Sequence, residues 1–264
     1  MKAIKTFRDL LAFLTIIPLG KTDDFVVTSA EAIFLFPIIG GFTGLLGALY
    51  FLGCGFLLSY ILAFIDLIIR IPIEFLLKIA TSVMTLAFLL VLTGLQHFDG
   101  LVDLGNAIGL RNLKERREVA HAWTVSHKGA ILAIFVELLA ILGLFLMNAE
   151  FAFGAIIVAE VSSKLAMVTI AWLGTPTHTG LGSIFLENAK RKRNITAYFL
   201  AVLIIYPLLG LAGVGAVLIS IVISVLMERA AKSVFGGVTG DAIGATNEIV
   251  RAVVLVFVSG VLLL

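Results

Sequence analysis

The chain has 264 residues, of which 61% are hydrophobic and 14% charged, with a formal net charge of +2 and a mean hydropathy of +1.15. A soluble domain is about 45–50% apolar and about 25% charged, so the composition excludes a soluble globular class, and nothing in the charge balance calls for nucleic acid. Residues 32–65, 79–98, 165–186 and 195–227 carry no Asp, Glu, Lys or Arg, which is roughly the 20 residues a helix needs to cross a bilayer and not the short alternating segments of a membrane β-barrel.

The expected class is an all-α integral membrane protein. It is read as a polytopic helical bundle of about seven spans forming one transmembrane domain over 1–264. The opening "MKAIKTFRDLLAFLTIIPLG" looks like a signal peptide, but its apolar part is short and no A-x-A site follows. A retained amphipathic or re-entrant helix is expected there. As one helix, 32–65 would be about 51 Å long against a core of about 30 Å. It is therefore expected to break near "GCG" at 53–55 or to continue as a second short span. Within it, Gly40-x3-Gly44 is a small-residue seam for close helix packing. Cys54 reads as a small buried hydrophobe, with no disulfide framework or Cys-based metal site.

A span at 79–98 leads directly into "GLQHFDGLVDLGNAIG", residues 94–109. A charged segment, 111–129, follows. Residues 130–149 and 151–173 read as a hairpin of spans turning at Asn148 to Glu150, with Lys164 expected to pair with Glu160 four residues earlier. "LGTPTHTGLGSIF" should be irregular, and "KRKR" occupies 190–193. Residues 195–227 exceed one span, and Pro207, Gly210, Gly213 and Gly215 mark a turn or kink. A second polar island, 228–251, precedes a final apolar segment, 252–264. Trp123 and Trp172 read as interface anchors.

Basic residues orient this arrangement. Arg111, Lys114, Arg116, Arg117 and Lys128, then Lys190 to Arg193, then Arg229 and Lys232, all fall on one side, expected to be the cytoplasm. Lys2, Lys5 and Arg8 belong there too, which demands an even number of crossings before Asp99. A site made from the two polar islands would then open to the cytoplasm from a multi-pass protein of the cell membrane.

The islands carry the chemistry. On a helix, Asp99, Asp103 and Asn106 share one face. Like charges at that spacing repel, and a divalent cation offsets the repulsion. Mg²⁺ prefers carboxylates, waters and substrate phosphates. Asp241 and Glu248 also face one way, with Asn247 adding an oxygen. Before them "GGVTG", with Gly236, Gly237, Thr239 and Gly240, offers backbone N–H groups to an anion, although it is not a Walker A loop. "LGNAIG" and "TGDAIG" differ only at Leu/Thr and Asn/Asp, and G-x-x-x-G at 105–109 and 240–244 allows two helices to approach closely. His97 reads as a general base, a phosphate donor or a hydrogen-bonded structural residue; His121, His127 and His178 carry weaker signals. The basic loop containing Arg116 and Arg117 reads as a topology signal or as a phosphate holder.

At these residues the chain resembles the cobalamin synthase (adenosylcobinamide-GDP ribazoletransferase) family. "LTIIPLG" is similar to that family's opening motif, "HFDGLVDLGNAIG" to its acidic signature H-x-D-G-L-x-D-x-x-D, "TGLGSIF" to a family loop and "FGGVTGDAIGATNEI" to its C-terminal signature. The resemblance implies a Mg²⁺-dependent transferase that joins adenosylcobinamide-GDP to α-ribazole or its 5′-phosphate and releases GMP. It implies Asp99, Asp103, Asp241 and Glu248 at the metal or phosphates, with His97, Asp99 and Asp103 catalytic. The implied partners are the corrinoid-GDP and α-ribazole substrates and membrane lipid, with homo-oligomer assembly left open. The chain departs from the family at Asn106, where an acid is usual, and at Val125, where an Asp usually precedes Ser-x-x-Gly. Two other readings stand beside this one. One is a membrane phosphotransferase with a CDP-linked donor, whose D-G-x-x-A-R pattern is absent. The other is an ion-coupled transporter, whose site would lie near the midplane.

Overall fold

A computed structural model describes residues 2–20, 22–110, 112–120, 124–177 and 180–263, and the side chains at 2, 117, 119, 120 and 181 also lie outside the description. Arg111, His121, Trp123, His178, Thr179 and the side chain of Arg117 are therefore outside the described residues. The described residues contain helices and no strand.

α1 (Lys2–Leu14) is amphipathic, burying Leu10, Leu11 and Leu14 while Ile4 and Lys5 stay exposed. α2 (Phe25–Glu31) packs against it, and a 3₁₀ turn, Ile33–Leu35, leads into α3 (Phe36–Asp66). Pro37 sits in the first turn of α3, where a missing N–H breaks no helical bond. The expected break at 53–55 does not occur: α3 is one continuous helix of 31 residues. The glycines there do not bend it, because Gly53 faces open space and Gly55 only touches Thr81. A helix of about 46 Å can tilt or project beyond the core. Cys54 is only part-buried, with its thiol beside Met84.

Gly40 and Gly44 form the expected seam. A β-carbon on Gly40 would stand 2.6 Å from the Glu160 carbonyl oxygen, and one on Gly44 2.7 Å from Ile157 Cα. Their partner is α8 (Ala149–Leu173), which is buried without interruption from Ala155 to Ala171. It lies among α3, α10 (Ile195–Phe235) and α11 (Gly240–Leu262). Its full circumference is covered, as expected of a helix at the centre of a bundle.

α4 (Ile73–Leu92) runs antiparallel to α3, pairing Gly47 with Leu89 and stacking Tyr50 on Phe88 at 4.4 Å. It ends earlier than the expected 79–98 span. Gly94 and Leu95, both with positive φ, reverse the chain into α5 (Gln96–Ala107). Ile16 N donates to Leu92 O at 2.9 Å, tying the end of α1 to the end of α4. Two crossings, α3 and α4, therefore precede Asp99. After α6 (Leu113–Ala120), α7 (His127–Leu146) and α8 form the expected hairpin. The segment expected to be irregular contains α9 (Leu181–Ala189), and the expected final apolar segment is the continuation of α11, which begins within the second polar island.

The expected turn in 195–227 is at Gly210, whose φ of 52° and ψ of −127° leave the helical region. The two legs of α10 run in opposite directions along α8. Tyr198 Oη lies 2.9 Å from Thr169 Oγ1, Leu208 lies beside Gly154, and Ser224 Oγ donates to Ala166 O at 3.2 Å. Among the described residues six stretches are long and apolar enough to cross a membrane, and the turn at Gly210 gives the bundle a seventh pass. Outward faces are apolar, with Phe56, Tyr60 and Phe64 on α3 and Ile131, Phe135 and Leu138 on α7 exposed, the pattern of helices against lipid rather than water.

The basic segments gather at one end. Arg116 Nη1 donates to Ser233 O at 2.7 Å, Lys190 Nζ donates to Gly174 O at 2.5 Å and to Trp172 O, and Arg193 donates to Glu31 O. Lys190 also lies within the electrostatic reach of Glu228 and Lys232. The chain is an all-α polytopic membrane protein with its polar islands at this basic end.

Candidate active site

The two islands meet through glycine. A β-carbon on Gly100 would stand 2.6 Å from Asp241 O, and one on Gly244 would stand 3.2 Å from His97 Cα. α5 and α11 thus cross almost backbone to backbone. The expected close approach is real, but of the two G-x-x-x-G pairs only Gly244 takes part in it, together with Gly100. Gly105 packs on Gly129 of α7, Gly109 lies by Lys128, and Gly240 faces open space.

The crossing places Asp99, Asp103 and Asp241 within one field. Asp103 is pushed up to about 7, first by burial and then by the charges of Asp241 and Asp99. Asp99 is exposed and Asp241 part-exposed. Their mutual repulsion is what a cation or a proton relieves. Among the described residues no three His, Cys, Asp or Glu side chains stand close enough to hold a metal by themselves. The donor set suits an ion that completes its shell with water and phosphate.

His97 is buried at the start of α5. Its Nδ1 makes no hydrogen bond and lies 4.0 Å from Glu248 Oε1. Burial, then the positive charges of Lys164 and Arg251, hold its pKa well below the ordinary histidine value, so the ring is neutral. A cavity of about 270 Å³ opens beside His97 and Asp241.

The remaining expected site residues separate from this cluster. Glu248 is not with the aspartates. It is buried, ion-paired with Arg251, and its Oε1 accepts from Asn247 Nδ2 at 3.0 Å. Asn247 in turn accepts from Lys164 Nζ at 2.7 Å. Lys164 is 3.8 Å from Glu160 as expected, and Glu160 also takes Arg251 Nε at 2.6 Å and Thr43 Oγ1 at 3.0 Å. Both Glu248 oxygens and the Asn247 oxygen already accept within this network, which is where the structure commits them. Two helical turns further along α11, set by the 3.6-residue period, carry Glu248 into the bundle interior while Asp241 stays at its end.

Asn106 is a loop clamp. Its Nδ2 donates to Thr124 O at 2.8 Å and more weakly to Asp103 Oδ1 at 3.4 Å, and its Oδ1 accepts from Ser126 N at 2.8 Å. An ionised acid could not donate to Thr124 O. The amide that replaces the family's acid is used to hold the start of α7. Arg116 likewise spends its guanidinium on the carbonyls of Leu110 (2.6 Å) and Ser233. In the glycine-rich loop, Gly236 ends α10 with φ 79°, Gly237 packs on Thr175 O, and Thr239 Oγ1 accepts from Ala242 N at 3.2 Å to cap α11. A β-carbon on Gly240 would enter open space.

Sequence reasoning missed Arg251 and Glu137, which stand with Glu248 in the buried network. Glu137 was visible as an isolated charge in an apolar run, and Arg251 as the last residue of the second polar island, one turn after Glu248. It also missed Gln96, Gly182 and Phe185 at the cavity, which carry no charge signal.

The family model described as cobalamin-5-phosphate synthase matches residues 6–259. An adenosylcobinamide-GDP ribazoletransferase of Methanosarcina mazei is 27% identical over 96% of this chain and 91% of that protein. One from Thermoplasma acidophilum is 27% identical over 96% and 90%, and one from Methanococcoides burtonii is 30% identical over 69% and 71%. No solved structure matches.

Proposed function

Because the chain belongs to the cobalamin-5-phosphate synthase family, we propose that it joins adenosylcobinamide-GDP to α-ribazole or its 5′-phosphate and releases GMP, with Mg²⁺, at a site facing the cytoplasm from the cell membrane. The observation that supports this best is the meeting of Asp99, Asp103 and Asp241 at the basic end of the bundle. A transport site would instead lie near the midplane.

In the reaction an acceptor hydroxyl forms a new P–O bond at the corrinoid-side phosphorus. The pyrophosphate P–O bond breaks, GMP leaves with the electron pair, and the hydroxyl proton needs an acceptor. Asp103, which lies in the field of Asp99 and Asp241, is the carboxylate assigned to accept it. Asp99 and Asp241 would hold Mg²⁺, with Asp103 beside them; when bound, the ion neutralises phosphate charge during transfer. Neutral His97 lines the cavity and orients the hydroxyl as a hydrogen-bond partner. Lys114 and Lys128 at this end supply long-range attraction for phosphorylated substrates.

The test is a transferase assay on the purified chain in lipid, supplied with adenosylcobinamide-GDP and α-ribazole, with and without Mg²⁺. GMP release that depends on Mg²⁺ is the expected result. Its absence would sink the proposal.

A further inference from the structure

The cavity beside His97 and Asp241 has the wrong lining for phosphate and the right one for a flat apolar ring. Phe13, Phe36, Phe185 and Met167 form its walls. Phe185 stacks on Phe13 at 4.7 Å with 22° between the rings, and Phe36 lies 6.1 Å from Phe185 with its ring tilted by 52°. Phe36, Met167 and Phe185 are otherwise core residues, at most 5% exposed. A concave, mostly apolar space with a few convergent polar groups is the form a small-ligand site takes, and an aromatic ring seated there gains dispersion contacts with these walls. Its polar groups, Gln96, His97 and Asp241, are few and belong to the two islands.

Size and polarity select the occupant. About 270 Å³ holds one small ring system; a corrin macrocycle does not fit. Two aromatic bases enter the proposed reaction. Guanine carries a carbonyl, an exocyclic amine and a ring N–H, each needing a partner when buried. A benzimidazole-type base has no exocyclic polar group and loses little in an apolar box. Resting on the transferase reading above, we propose that the Phe13–Phe36–Phe185 cavity binds the aromatic base of the ribazole acceptor. The base then anchors the nucleoside next to Asp241 and His97, where its sugar hydroxyls meet the carboxylates.

The test uses the full chain in nanodiscs and measures binding of radiolabelled α-ribazole by equilibrium dialysis, beside turnover. Phe185→Leu and Phe13→Leu keep apolar volume and remove a ring face, and thermal unfolding checks that each remains folded. We expect Phe185→Leu to weaken α-ribazole binding and raise its KM by about tenfold. KM for adenosylcobinamide-GDP should stay near the wild-type value, and guanosine should not displace α-ribazole. Wild-type ribazole affinity in both variants, no ribazole binding by the wild type, or displacement by equimolar guanosine would each overturn the assignment. Ring-dependent ribazole binding without any turnover would keep the cavity assignment and remove the transferase reading. Turnover with ring-independent binding would do the reverse.

Discussion

Gly100 lies directly against the backbone of Asp241, so that a β-carbon on Gly100 would stand 2.6 Å from the Asp241 carbonyl oxygen. This contact joins two segments far apart in the chain and makes one site of two acidic islands. Gly100→Ala is expected to force α5 and α11 apart. Helix propensity favours alanine by about 1 kcal/mol, but backbone overpacking costs about 1–3 kcal/mol. The expected outcome is a lower unfolding temperature in nanodiscs together with loss of GMP release. An unchanged rate would show that the crossing does not set the site.

Asp99→Ala and Asp241→Ala should each lower turnover at least about 100-fold while the protein stays folded. Asp103→Asn should also be inactive but more stable. Its folded pKa is raised to about 7, so its favourable contribution is present below the unfolded value of about 3.9 and is lost as pH rises through about 7. At pH 8 without Mg²⁺ the wild type carries the full repulsion. The amide removes it, gaining on the order of 1 kcal/mol once screening at a half-exposed group is allowed for. Thermal unfolding at pH 8 in EDTA checks the sign. A destabilised Asp103→Asn would contradict the shared field.

The buried network makes the opposite prediction. Arg251 bridges Glu160 and Glu248, so Arg251→Ala leaves buried carboxylates uncompensated and should cost about 3–5 kcal/mol. Replacing Arg251 and Glu248 together by apolar residues of similar volume, which leaves Glu160 paired with Lys164, should recover most of that loss. Folded yield in detergent distinguishes the two, and equal yields would mean the network is not coupled.

His97 sets a pH dependence of stability. Its folded pKa lies below the ordinary value, so the unfolded chain takes up a proton that the folded chain refuses. Stability is full above about pH 6.5 and is lost as pH falls below that toward the folded value. His97→Gln should flatten this slope. The comparison is of unfolding temperature against pH for the two proteins, and parallel curves would count against a buried neutral ring.

Gly240 and Gly244 sit one turn apart on α11 and should respond differently. Gly244→Ala presses on His97 Cα, 3.2 Å away, whereas Gly240→Ala enters open space. The second variant should keep wild-type stability within about 0.5 kcal/mol yet raise KM, because the methyl occupies the approach to the α11 N-terminus. A Gly240→Ala enzyme with wild-type KM would mean that no substrate group passes Gly240.

The bilayer-spanning class, the α7–α8 hairpin, the turn at Gly210 and the polarity of the two islands were legible along the chain, because they depend on local quantities: run length, hydropathy, glycine and proline, and carboxylate spacing on a helix. Even the Glu160–Lys164 pair follows from the i to i+4 period. What that local reading could not assign is the partner of each polar group. Asp241 and Glu248 share a helix face, yet one meets Asp103 and the other Arg251. Asn106 stands in line with Asp99 and Asp103 but binds the loop before α7. Those choices arise where Gly100, Gly244 and Gly40 let helices touch backbone to backbone. There depth in the bundle, rather than spacing along the chain, decides whether a side chain keeps water and substrate or must find a buried counter-charge.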